Sequence, residues 1–257
     1  MKLLIIILVT VLMNSQAKSI LEIYNPTNEY LSTKEDSNNS TVKFLGLSLN
    51  SKLEQIREML KNGNESLGIP VCDPFKLEHM EEKLNLFNGS IEGSGSIDNL
   101  LFTGLSGYKV MKGDISIIKR AMSLKLKWPR LEGISFYIIN AFIKNKMIQI
   151  YGGGDFQTVT ENLIFETDAY FGLKNGKVYI KNMDTRISFT TFKFTITGLY
   201  YDEDVSKTMS VFVTEFVKQI FRDNQKNLVN VVNSFIMINA NKYLSNMTFQ
   251  DLLNLLN

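Results

Sequence analysis

The period of the apolar residues changes twice along this chain, and that double change limits the fold more than any motif does. From about Leu84 to Tyr201 the apolar side chains alternate, and turn residues recur at intervals suited to an antiparallel sheet; on either side the spacing is helical. Leu124, Leu126 and Trp128 alternate with Lys125 and Lys127. Ile148 and Ile150 alternate with Lys146 and Gln149, and Leu163, Phe165, Ala169 and Phe171 share one parity against Glu166 and Asp168. Val178 and Ile180 oppose Lys181. One face of the sheet is thus apolar and the other meets water. The parity changes between Ile187-Phe189 and Phe192-Phe194-Ile196, which predicts a bulge or twist near Thr190-Thr191. Ile134 to Ile143 is apolar on both parities, so its faces stay unassigned.

The flanks complete an α+β plan. Before the sheet, Ser51 is placed to cap a short helix carrying Leu53, Ile56, Met59 and Leu60, with Gly63 as its stop. Gly68-Ile69-Pro70 and Asp73-Pro74 then impose an extended link, because a residue before proline is pushed out of the α region. After Tyr201 two stripes appear: Met209, Phe212, Val213, Phe216, Val217 and Ile220, then Leu228, Val231, Val232, Phe235 and Ile238. A sheet with one apolar face, followed by apolar helical surface, predicts a layer in which the sheet curls over a helix.

The amino terminus sets the expected compartment. Lys2 precedes the apolar run Leu3 to Met13, and Ser15 and Ala17 occupy small-residue positions, the pattern of a secretory leader over residues 1–17 cut after Ala17. That run is too short to span a bilayer, and no second long apolar run follows, so no transmembrane span is expected in the secreted form. Residues 18–50 are polar and short of large apolar side chains, as in a mobile arm, and residues 51–257 are read as one domain. The hydrophobic content of 44% is enough for a sizeable core. The formal charge is only +2, and removing Lys2 lowers it further, which argues against a nucleic-acid partner. A lone cysteine, Cys72, has no partner within the chain for a disulfide.

Catalysis needs a group that exchanges protons near neutral pH, an activated nucleophile or a bound metal, and the inventory is poor. The single histidine, His79, sits among Lys76, Glu78, Glu81 and Glu82 as in a solvated segment. A zinc site of several His or Cys ligands cannot be assembled. Gly152-Gly153-Gly154-Asp155 lacks the Lys-Ser or Lys-Thr of a phosphate loop and reads as a tight turn or bulge between strands. The basic series from Lys109 to Arg130 alternates with apolar residues, as a solvated sheet face does. Neither an enzyme nor a cofactor is expected. Asn39 (overlapping Asn38), Asn64, Asn88 and Asn246 match the glycosylation acceptor pattern, and occupancy of at least one is expected in a secreted chain.

The order of landmarks resembles the insect takeout / juvenile-hormone-binding protein family of the tubular lipid-binding superfamily. Gly68-Ile69-Pro70-Val71-Cys72-Asp73-Pro74 is similar to the family's element after the first helix, and Phe102-Thr103-Gly104-Leu105-Ser106 to its Gly-Leu strand. The stretch from Trp128-Pro129-Arg130 through Gly152-Gly153-Gly154-Asp155 is similar to its Pro…Gly…Tyr…Gly-x-Gly run. The segment Ile220-Phe221-Arg222-Asp223-Asn224…Leu228…Asn233-Ser234-Phe235 resembles its last helix. The resemblance covers about residues 51–257 and implies a strongly curved antiparallel β-sheet wrapped around a long C-terminal α-helix, with an apolar tunnel for a hormone, fatty acid or other lipid. Two departures stand out. The family's amino-terminal cysteine pair is missing, and the chain stops at Asn257, early for the family.

Parity and stripe together place Ile148, Ile150, Phe165 and Phe171 on the inner sheet face as ligand contacts, opposed by Phe212, Phe216, Ile220 and Phe235 from the helices. The expectation is a monomeric, secreted carrier of an elongated apolar small molecule, with a transient membrane or receptor contact left open. A surface-interaction or innate-immunity protein on the same scaffold is the alternative, with mite group 7 allergens as relatives.

Overall fold

The computed structural model describes residues 46–65, 69–86, 91–143 and 147–256. The predicted leader, most of the predicted arm, Asn39 and Asn88 lie outside them. The described end of the arm is ordered: Gly46–Ser48 forms strand β1, and helix α1 (Asn50–Asn62) starts one residue before the predicted cap.

Two long antiparallel strands form the spine. β5 (Ala121–Ile143, 23 residues) pairs with β6 (Ile148–Lys174, 27 residues) from Ala121↔Tyr170 to Ile143↔Ile148. On the free side of β5 lie β4 (Lys109–Ser116), which carries β1 at its outer edge, and β3 (Ile91–Thr103), which carries β2 (Phe75–Leu86). On the free side of β6 lie β7 (Lys177–Ser188) and β8 (Thr191–Ile196). All pairs are antiparallel, and the sheet is not closed. It begins earlier than the alternation suggested: β2 starts at Phe75, so His79 is a strand residue whose ring meets the Asp98 carboxylate of β3. The parity change predicted near Thr190-Thr191 is the gap between β7 and β8.

The doubly apolar segment of β5 now has faces. Leu124, Leu126 and Trp128 are buried at even positions, then Leu131, Tyr137 and Ala141 at odd ones, while Ile134, Phe136 and Ile138 are exposed. The β5–β6 register runs through this switch without a slip. Pro129, which has no N–H to give a ladder, lies opposite Asn162, whose φ is 51°. The two halves of the ribbon therefore bury opposite faces, a consequence of coiling strands too long to stay flat.

Over the first half, Leu53, Ile56, Met59 and Leu60 of α1 pack on Ile115, Leu124, Leu126 and Trp128. The sequence landmarks meet here. The Asp73 carboxylate accepts from the amides of Gly104 (2.9 Å) and Ser106 (2.8 Å), clasping a 3₁₀ turn at Leu105–Gly107. The indole of Trp128 donates to the Leu105 carbonyl (2.9 Å) and meets the Tyr108 ring edge-on, with centroids 5.6 Å apart. The residues that carry the resemblance at this end tie α1 to the sheet.

After β8 the chain forms α2 (Glu203–Asp223), α3 (Gln225–Leu244) and α4 (Phe249–Leu256). Asp202 caps α2 by accepting from the Val205 amide (3.0 Å), and Glu203 and Asp204 suit its positive end. Only Asn224 separates α2 from α3. α3 packs Ile236, Ala240 and Leu244 on Ala169, Phe171, Val178 and Ile180, with Leu252 of α4. Its asparagines also serve the β7 edge: Asn241 accepts from the Ile180 amide (2.7 Å) and donates to the Ile180 carbonyl (3.2 Å), and Asn233 donates to the Met183 carbonyl (3.2 Å). The expected α+β plan of a curved antiparallel sheet with C-terminal helices is realised, with the long helical pair following the β7–β8 edge.

Candidate functional site

Glycines set the position of α2. After β8, Thr197 to Leu199 runs on beside β6 in antiparallel pairing and comes so close at Gly152 and Gly154 that any Cβ would collide: one on Gly154 would lie 2.5 Å from the Thr197 carbonyl oxygen, and one on Gly152 2.4 Å from that of Gly198. The glycine run thus lies inside β6 at a one-residue step in its pairing with the chain after β8, which fits the bulge of the expected turn or bulge and not the turn. It permits a close backbone approach. Tyr137 donates its hydroxyl to the Thr197 carbonyl (2.8 Å) and Tyr200 donates to that of Gln149 (2.6 Å), which fixes the reversal into α2.

The helix then meets the edge strand through hydroxyls. Ser206, Ser210 and Thr214 recur every four residues along one face of α2. Their oxygens accept from the amides of Leu199 (2.9 Å), Ile196 (3.0 Å) and Phe194 (2.9 Å). Ser206 and Ser210 pass their own protons to the carbonyls one turn back, of Asp202 (2.7 Å) and Ser206 (2.8 Å), and Thr214 donates to the Phe194 carbonyl (3.2 Å). An edge strand would otherwise show these amides to water or to another chain. The only side chains of α2 that are fully buried are these two serines, at 2% and 9% exposure.

This seam borders a groove of about 780 Å³, between β8 with the residues that follow it and the first turns of α2. Phe194, Ile196, Val211 and Tyr201 supply apolar surface, and Lys193, Lys207, Asp202, Glu203 and Glu215 supply charge. The strand wall from Lys193 to Gly198 extends about 20 Å at ~3.3 Å per residue. The helix wall from Asp202 to Glu215 extends about 20 Å at ~1.5 Å per residue. The groove is thus long and narrow, with apolar surface between charged rims.

The predicted contacts are dispersed. Phe171 is buried under α3 and Phe165 packs against the clusters beneath α1 and α3. Ile148 is exposed where β6 begins, Ile150 is half-buried, and so are Ile220 and Phe235 on the helices. Phe212 and Phe216, expected to face inward, stack on each other with centroids 5.7 Å apart and stand 58% and 49% exposed. The reason is the orientation of α2, which turns its hydroxyl row to the strand and leaves the apolar row on its other flank. None of the eight residues lines the groove. The readable signal for the groove was the Ser206, Ser210, Thr214 spacing directly after an edge strand.

Cys72 is buried, its thiol donating to the Pro70 carbonyl (3.2 Å), and burial followed by the charge of Asp73 pushes its pKa up. Among the described residues no group of three or more His, Cys, Asp or Glu is gathered to hold a metal ion. No described helix is long and apolar enough to cross a membrane.

No curated protein matches the chain. Among solved structures it is similar to Takeout 1 of Epiphyas postvittana, with 16% identity, 78% of this chain and 92% of that chain covered, and a TM-score of 0.49. A lipopolysaccharide binding protein is similar at 11% identity, over 78% of this chain and 38% of the other, with a TM-score of 0.33. The model of the haemolymph juvenile hormone binding protein family matches residues 45–254, and the chain belongs to that family.

Proposed function

We propose that the protein is a secreted, monomeric, non-enzymatic carrier of an elongated apolar molecule, and that the groove between β8 and α2 is where the ligand lies. The groove is the observation that carries this reading, since its length and volume suit such a ligand. Membership of a family named for hormone binding agrees with it. Burying apolar ligand surface there contributes about 25 cal/mol per Å². Lys193 and Lys207 at the rim offer donors to an acidic or carbonyl-bearing end, while the hydroxyl ladder keeps the strand amides from holding water beneath an apolar chain.

The flank bearing Phe212 and Phe216 is the competing seat, since it belongs to the interior expected from the stripe. Organic extraction of purified protein with mass spectrometry identifies the ligand, and displacement of a fluorescent fatty acid locates it. Val211→Asp places a carboxylate in the groove and is expected to weaken the probe by about tenfold or more. Phe212→Asp, on the other flank, is expected to change affinity by less than about threefold. The reverse order moves the ligand to the Phe212 and Phe216 flank. An empty extract with no probe binding removes the carrier reading and leaves the surface-interaction alternative.

A further inference from the structure

The far end of β6 from the groove carries an apolar and basic tip that the carrier reading does not use. The β4–β5 turn, Ile117-Ile118-Lys119-Arg120, lies beside the last residues of β6, since Ala121 pairs with Tyr170 and the Phe171 amide donates to the Arg120 carbonyl (2.7 Å). Turns are usually built from small polar residues, glycine or proline, yet this one presents Ile117 and Ile118, the latter 65% exposed. The β6–β7 turn follows on β6, with Leu173 exposed and Lys174 directly opposite Lys177 in the register. Like charges across a strand pair cost stability unless a counter-charge is supplied. The turn after α3 joins the same end: Lys177 donates to the Asn246 carbonyl (3.0 Å), and the Val178 amide to that of Met247 (2.9 Å).

Across residues 117–120, 174–177 and 242–247 there are five cations and no acid. Asp251 of α4 is an acid within electrostatic reach of Lys177. We infer that this end docks on anionic phospholipid bilayers, with Ile117 and Ile118 entering the acyl boundary and the surrounding cations meeting the headgroups. Exposed β-branched residues gain by leaving water, and clustered Lys and Arg are attracted to an anionic surface within a Debye length. The inference stands apart from the groove, because none of these residues lines it.

Co-sedimentation with unilamellar vesicles tests it, using phosphatidylcholine alone and equal parts of phosphatidylcholine and phosphatidylserine. The full chain is expected to bind the mixed vesicles, to bind neutral ones far less, and to lose binding in molar salt. Ile118→Asp is expected to lower binding about tenfold, and Lys174→Gln with Lys242→Gln about fivefold, with uptake of the fluorescent fatty acid from solution unchanged. Equal sedimentation with both vesicle types, or undiminished binding by both variants, overturns the inference. Loss of probe uptake in Val211→Asp with vesicle binding retained bears only on the groove. A glycan at Asn246 would hold headgroups away from the tip, so glycopeptide mapping that finds Asn246 occupied in the secreted protein also overturns it.

Discussion

Where α1 covers the first half of the β5–β6 ribbon, it points leucine, isoleucine and methionine at the sheet; along β8, α2 points serine and threonine at it and leaves two phenylalanines in the open. Both arrangements satisfy the strands they touch, but by different physics. Under α1 the gain is apolar burial, with Leu60, Ile115 and Leu126 almost completely out of water. Along β8 the gain is the pairing of edge amides that no further strand receives. A helix held by hydrogen bonds to an edge has apolar surface to spare, and on α2 that surface carries the exposed Phe212 and Phe216. The closely packed half is expected to carry most of the stability, and the seam less.

The largest expected effect tests the packed half. Leu126→Ala removes a side chain that is 2% exposed between α1 and the sheet, and is expected to cost about 2–5 kcal/mol through lost transfer energy and a residual cavity. For a chain of this size that lowers Tm by roughly 5–15 °C. A loss no greater than that of an exposed-site substitution would mean that this half is not the stable one. Next comes the seam. Ser210→Ala leaves the Ile196 amide without its acceptor and is expected to cost about 1–3 kcal/mol. Ser234→Ala, on the exposed side of α3, is the control and should change stability by less than about 0.5 kcal/mol. If the two serines behave alike, the hydroxyl ladder is not what holds α2.

Phe216→Ala sharpens the contrast. In a close-packed core this truncation costs about 3–5 kcal/mol, but a ring that is 49% exposed loses little burial and leaves no closed cavity, so the expected cost is below about 1.5 kcal/mol. Chemical denaturation of Phe216→Ala beside Leu126→Ala gives the comparison directly. A cost for Phe216→Ala equal to that of Leu126→Ala would show that the α2 flank is covered in solution.

The sheet, its amphipathic faces and both C-terminal stripes were legible because periodicity reports which side of an element is apolar. Phe171 and Val178 fell on the buried side as their parity required. Parity does not report which neighbour covers a side. In α2 the apolar stripe alone points to the interior, whereas edge amides attract the hydroxyl row, and the apolar row follows wherever that rotation leaves it. The switch at Pro129 was hidden for a related reason: a doubly apolar strand is compatible with either face, and only the coiling of a long ribbon decides between them. For the glycine run the sequence leaves turn and bulge open, because the close approach that decides for a step within β6 is a contact between residues about 45 positions apart, which local turn chemistry does not encode.

The smallest expected effect lies on the outer face of the second half, where His79 on β2 meets Asp98 on β3. The hydrogen bond that the His79 ring donates to the Asp98 carboxylate raises the imidazole pKa above its ordinary 6.5, helped by the carboxylate charge, and the same bond lowers the Asp98 pKa below its ordinary 3.8. A histidine whose folded pKa is raised contributes its stability in full below 6.5 and loses it as pH rises through the folded value. For Asp98 the contribution is present above 3.8 and is lost as pH falls through its lowered value. The pair therefore favours the folded state most in the mildly acidic window between those limits. Solvent screens an exposed pair, so the change in Tm across that window should be small. His79 is the only histidine, so its ring signals can be followed by NMR titration without assignment. The midpoint should lie above 6.5 in the native chain and return toward it in Asp98→Asn, with the small acid-side gain in Tm disappearing in the same variant. An unshifted midpoint would show that the two side chains do not meet in solution, and that the outer face of β2 and β3 contributes nothing through this pair.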